Sequence, residues 1–194
     1  MIIVALGDST TAGTPGWKSP IEAPPAGAGD ETSQYAYWLM KAHPEWKVLN
    51  RGVNGERSDQ IAARFDRDVL GVSARAVVIV AGVNDIYQGR AALHVIDQLR
   101  AMYDRARDAG LSILAGTIVP YNTATDEQNA RMREVNEWIA GSGVPWVDTR
   151  AAVADPHNPD RLASSPDDLH PSPEGYRRMA DVIGPALASL VRRG

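Results

Sequence analysis

Short apolar runs alternate along this chain with stretches whose hydrophobic residues recur every three or four positions. Five runs read as strands: IIVAL (2–6), KVLN (47–50), AVVIVA (76–81), SILAGTI (112–118) and VPWVD (144–148). Most are nearly continuous in apolar character, as expected of strands buried on both faces rather than one. Between them the period changes. Ile96, Leu99, Tyr103 and Ala106 form a stripe within 91–109, and Gly110 is placed to end that helix. Met132, Val135 and Ile139 form another, and Ile61, Ala62, Phe65 and Val69 a third behind a Ser58 cap. The last helix opens on Ser172 as cap, Pro173 as first residue and Glu174 beside the positive end of the dipole. Tyr176, Met179, Ile183, Leu187 and Leu190 make its buried face, and Pro185 within it predicts a kink.

Strand and helix thus alternate, which argues for an α/β fold with a parallel sheet and helices on both faces. The 194 residues suit one domain spanning 1–194, and no internal repeat is visible. The stretch TPGWKSPIEAPPAGAGDET (14–32) breaks the alternation. It is too long for a simple connection, so either a functional loop or a mobile excursion is expected. Trp17 lies on it, where packing is the ordinary role and a lipophilic or sugar-stacking contact the alternative.

Composition narrows the function. Hydrophobic residues are 44% and charged residues 23%, a globular balance, and the net charge of -4 offers no overall basic field for nucleic acid. Cysteine is absent, which excludes disulfides, thiolate catalysis and Cys-built metal sites. No run is long enough to cross a bilayer, and Met1 leads straight into IIVALG without a basic leader, so a cytoplasmic location is expected. Nothing in the pattern specifies an oligomeric state.

Ligands of open α/β sheets bind beyond the carboxyl ends of the strands. Four polar fragments fall there: Ser9 after the first strand, NRGVNG with Gly52 and Asn54 after the second, GVND with Asn84 after the third, and DDLHP with Asp167 and His170 after the fifth. Their chemistry is complementary. A serine becomes a useful nucleophile when a base takes its proton, an imidazole is such a base, and a carboxylate fixes the imidazole's tautomer. Asp167 and His170 are three apart, within one turn. Acyl transfer also needs donors for an oxyanion; the Ser9 and Gly52 N–H groups and the Asn84 amide can supply them. Asp8 is placed to brace the turn that carries Ser9.

Here the chain resembles the SGNH hydrolases, or GDSL-type esterases. The first block appears as Gly7-Asp8-Ser9 with Gly13, the second as Gly52 in RGVNG, the third as Gly82-Val83-Asn84-Asp85 and the last as Asp167-Asp168-Leu169-His170. The resemblance implies a flavodoxin-like three-layer sandwich whose five-stranded parallel sheet runs in the order 2-1-3-4-5. It implies Ser9 as nucleophile, His170 as general base, Asp167 as its orienter, and an oxyanion hole of Ser9, Gly52 and Asn84, with no metal or cofactor. The substrate class is a small-molecule ester, with short acyl chains and acetyl favoured; carbohydrate deacetylase, lysophospholipase, thioesterase and acyltransferase activities are alternatives on the same site. Thr10 stands where the family commonly has Leu.

Rival readings explain less. STTAGT (9–14) is near the loop by which flavodoxins hold a flavin phosphate, but its glycine arrives one residue late and Asn84, Asp167 and His170 are left without a role. A receiver domain needs a lysine near the end of the fifth strand, and Lys47 is the last lysine. A metallophosphoesterase needs D-x-H and more His than this chain has. Neither a Walker loop nor a G-x-S-x-G elbow is present. His43, His94 and His157 read as surface or packing residues.

Overall fold

The structure, a computed structural model, describes residues 1–193. All five expected strands are present: β1 (Ile2–Gly7), β2 (Lys47–Gly52), β3 (Ala76–Val80), β4 (Ser112–Gly116) and the short β5 (Trp146–Val147). They are parallel and lie in the order β2-β1-β3-β4-β5, the order implied by the family resemblance. The register sets where the loops emerge. Gly7 pairs with both Gly52 and Val80, so three strands end level and deliver their succeeding loops to one rim.

The helices are α1 (Ser9–Ala12), α2 (Tyr35–Ala42), α3 (Ser58–Ala63), α4 (Phe65–Asp68), α5 (Val83–Tyr87), α6 (Ala92–Asp108), α7 (Asp126–Gly141), α8 (Thr149–Val153) and α9 (Pro173–Arg193). They cover both faces of the sheet. Along β1, Val4 and Leu6 join the core that includes Phe65, Leu99 and Val135, while Ile3 and Ala5 join the core that includes Tyr35, Tyr176 and Ile183. Both halves of each pleat are therefore dry, which is why the strand sequences are apolar without alternation. No helix among the described residues is long and apolar enough to cross a membrane.

Most helix ends follow the expected chemistry. α6 stops before Gly110, α7 begins at a Thr125–Gln128 capping box, and the Gly175 N–H donates to Ser172 Oγ at 3.3 Å at the start of α9. α9 continues past Pro185 to Arg193 as one helix. One expectation is corrected. Ser58 does not cap a single helix bearing the Ile61–Val69 stripe. Arg57 occupies the cap position, and the segment breaks at Arg64 into α3 and α4. The Ser58 backbone N–H and hydroxyl both donate to the buried carboxylate of Asp85, at 2.8 Å each. A carboxylate taken out of water binds whatever donors reach it, and here that demand outweighs local capping.

Residues 14–32 are ordered along the outer edge of β2. Trp17–Lys18 pairs antiparallel with Ala28–Gly29, and Ser19 Oγ donates to the Gly52 carbonyl at 2.6 Å.

Candidate active site

Gly7 ends β1 where a side chain has no room: a Cβ there would lie 2.2 Å from both Thr11 Oγ1 and the Val80 carbonyl. The chain turns at once into α1. Asp8 caps it, Oδ1 accepting the Thr10 N–H at 2.9 Å, as its bracing role required. Ser9 is thereby held as the first helical residue, 3% exposed. Four residues later Gly13, at φ 108°, adopts the left-handed conformation that ends the helix.

The opposing wall comes from the segment before α9. Asp167 Oδ1 accepts the N–H groups of Leu169 and His170 at 3.1 and 2.9 Å, which winds this segment around the carboxylate. Oδ2 lies 2.7 Å from His170 Nδ1, and His170 Nε2 lies 2.9 Å from Ser9 Oγ. Burial pushes the Asp167 carboxyl up, but the hydrogen bonds from the His170 ring, the His170 N–H and the Leu169 N–H outweigh it and hold the group below its ordinary value. An ionised Asp167 only accepts, so Nδ1 carries the imidazole proton and Nε2 is left as an acceptor facing the serine hydroxyl. Asp168 does not compete. At φ 63° it turns away, its carbonyl accepting the Asn122 N–H at 2.7 Å and its Oδ1 the Asn122 amide at 2.9 Å.

Asn84 is the second residue of α5, and its Nδ2 donates to the Glu56 carbonyl at 2.9 Å. An amide nitrogen carries two hydrogens, so this bond orients the group and leaves the second free. The Gly52 expectation is corrected. Its N–H donates to Asn50 Oδ1 at 2.9 Å, its carbonyl accepts from Ser19, and a Cβ there would lie 2.0 Å from the Ala12 nitrogen. Gly52 is a packing glycine that lets β2 press against α1. Three residues on, Gly55 sits at φ 79° with nothing within 4 Å of its missing side chain. Among the described residues its N–H has no acceptor, and neither has that of Ser9.

Ser9, Thr10, Asn54, Asn84 and His170 line one cavity of about 140 Å³, closed by Val83, Tyr87, Tyr121 and Leu169. Thr10 therefore puts a hydroxyl-bearing side chain on this wall. Tyr121 is 2% exposed, its hydroxyl has no partner, and its ring meets Tyr87 edge to face at 5.7 Å. Burial raises the Asp8 carboxyl to about 7, the Thr10 N–H and hydroxyl opposing the rise and the charge of Asp85 adding to it.

Two contributors were not visible in the sequence. Glu56 orients Asn84 through its backbone, which no side-chain pattern encodes. Arg64, 7% exposed, donates to the Gly7 and Arg51 carbonyls at 2.9 and 2.8 Å and pairs with Glu56 and Asp68. It ties the ends of β1 and β2 to the loop that carries Gly55. A buried arginine in an otherwise apolar helical stripe was the available signal. Asp59, Asp85 and His94 come within 4.8 Å of one another, a possible cation set, but Arg57 holds Asp59 and Ser58 holds Asp85.

Comparison with known proteins gives the chain a family. The GDSL-like lipase/acylhydrolase family matches residues 5–178. No curated protein sequence matches the chain. Similar solved structures include a member of the lipolytic protein G-D-S-L family from Veillonella parvula DSM 2008, with 20% identity, 100% of each chain covered and a TM-score of 0.75. A GDSL-like lipase from Bacteroides thetaiotaomicron VPI-5482 has 19% identity over 97% of this chain and 88% of its own, with a TM-score of 0.75. An acetyl xylan esterase has 20% identity over 97% and 98%, with a TM-score of 0.72. These likenesses concern the fold; the family match concerns the chain itself. The chain belongs to the GDSL-like lipase/acylhydrolase family and is a carboxylic ester hydrolase.

Proposed function

We propose that this hydrolase cleaves short-chain carboxylic esters, acetyl esters foremost, through an acyl-enzyme on Ser9. The observation that carries the reading is the continuous chain Ser9 Oγ–His170 Nε2–His170 Nδ1–Asp167 Oδ2, with links of 2.9 and 2.7 Å. Ser9 Oγ attacks the ester carbonyl while Nε2 takes its proton, and Asp167 stabilises the imidazolium. The oxyanion is met by the Ser9 N–H, the free hydrogen of the Asn84 amide and the Gly55 N–H, which takes the place first expected for Gly52. His170 then protonates the leaving alcohol, the C–O bond breaks, and the same base activates water to release the acid.

Supporting the short acyl chain is the small cavity, closed by Tyr87, Tyr121 and Leu169. An acetyl xylan esterase among the proteins of similar fold is consistent with acetyl. The flavin reading is weaker, because the Ser9 hydroxyl that would face a phosphate is directed to His170. Ser9→Ala is the test. Burst and turnover on p-nitrophenyl acetate should vanish while the thermal transition holds, and retained turnover in the folded variant would overturn the assignment.

A further inference from the structure

The 14–32 segment encloses a second cavity, of about 410 Å³, against the outer edge of β2, and its lining shares no residue with the catalytic cleft. This volume lies in the range of about 300 to 1,000 Å³ that small-ligand sites occupy. We propose that this cavity binds a small polyhydroxylated carboxylate, of the class of acidic monosaccharides.

The argument rests on donors without acceptors. Trp17 is 7% exposed, lines the cavity, and its indole N–H has no partner. Arg51 also lines it, and its buried Nε has none either. Among the described residues neither Arg51 nor Lys47, which lines the same cavity four residues earlier on β2, joins an ion pair. These three side chains can only donate. β2 adds backbone donors. Lys47 and Val53 direct their N–H groups to the β1 side, at Met1 and Gly7. Strand alternation then turns Val48 and Asn50 outward, to the edge that no strand covers. Against this set the wall offers one carboxylate, Glu31. Tyr37 contributes part of an aromatic wall.

A site with two cations, an indole N–H and strand-edge amides, but one acid, complements a ligand that bears a negative charge and many acceptor oxygens. The aromatic side chains suit the C–H face of a sugar ring. The 14–32 segment, which lends no residue to the lining of the catalytic cleft, thereby has a function: it converts an exposed sheet edge into a lined site.

The test is a titration of the whole protein followed through the Trp17 indole N–H resonance, assigned by its loss in Trp17→Phe. D-Glucuronate should shift it saturably, at least tenfold more tightly than D-glucose or inorganic phosphate. Arg51→Gln, checked for folding by circular dichroism, should weaken that binding at least tenfold. Equal binding of glucose would remove the role of charge, and equal binding of phosphate would reduce the site to simple anion capture; either overturns the proposal. So does an indole resonance that glucuronate leaves unmoved, or affinity unchanged in Arg51→Gln.

Discussion

Asn50 reaches along its own strand to accept the Gly52 N–H at 2.9 Å. That one bond removes Gly52 from the catalytic donors and makes it structural. A methyl at position 52 would meet the Ala12 backbone at 2.0 Å, with no flexible side chain to yield. Gly52→Ala is therefore expected to destabilise the protein by about 1–3 kcal/mol or more, as overpacking does. Urea denaturation measures it; an unchanged midpoint would show that α1 can shift at little cost.

Gly55 should behave differently. When a phosphonate forms a tetrahedral adduct at Ser9, the Gly55 amide proton should shift in the NMR spectrum and the Gly52 amide should not. Asn84→Ala should lower kcat by roughly a hundredfold or more with a smaller change in KM, since the interaction belongs to the transition state. A wild-type rate would remove Asn84 from the oxyanion hole.

The two adjacent acids can be separated by kinetics. Asp167→Asn would offer an N–H or a weaker acceptor to His170 Nδ1 and disturb the tautomer, with kcat falling by about 10³–10⁴. Asp168→Asn leaves the triad intact, because Asp168 faces Asn122; its kcat should stay within a fewfold of wild type. Both acting alike would contradict the observed orientation.

Asp8 makes a prediction about stability. Its Oδ2 is buried without a partner, and its carboxyl rises from 3.8 to about 7. The folded protein then holds a proton that the unfolded chain releases. The contribution is fully present below about 3.8 and is lost as pH rises through about 7, up to about 4 kcal/mol in all. Asp85 is shifted in the same direction by burial. Unfolding free energy should therefore drop between about pH 4 and 7 in the wild type, and less so in Asp8→Asn. Equal drops in both proteins would refute a buried, protonated Asp8.

Arg64→Met should cost about 1–3 kcal/mol, because it frees the Gly7 and Arg51 carbonyls and leaves Arg67 as the remaining partner of Asp68. It should also lower kcat, since Glu56 would lose the partner that helps hold the Asn84 and Gly55 loop. A destabilised variant with wild-type kcat would limit Arg64 to a structural role.

Local physics was legible in the chain. Strands dry on both faces are apolar throughout, so all five could be read, and their alternation with amphipathic stretches implied the parallel sheet. Asp167 and His170 are three apart, and Asp8 caps the next turn, so these relationships needed no distant partner. The approach of Ser9 to His170 spans 161 positions and exists only because β1 and α9 meet at the same rim. The two glycines of RGVNG carry no mark that tells them apart. Tertiary structure separates them by pressing α1 onto Gly52 and leaving Gly55 in open space at positive φ. Likewise Ser58 had the chemistry of a helix cap, but the buried Asp85 claimed both its donors. Residue types determined which hydrogen bonds were possible; burial and long-range proximity decided which of them formed.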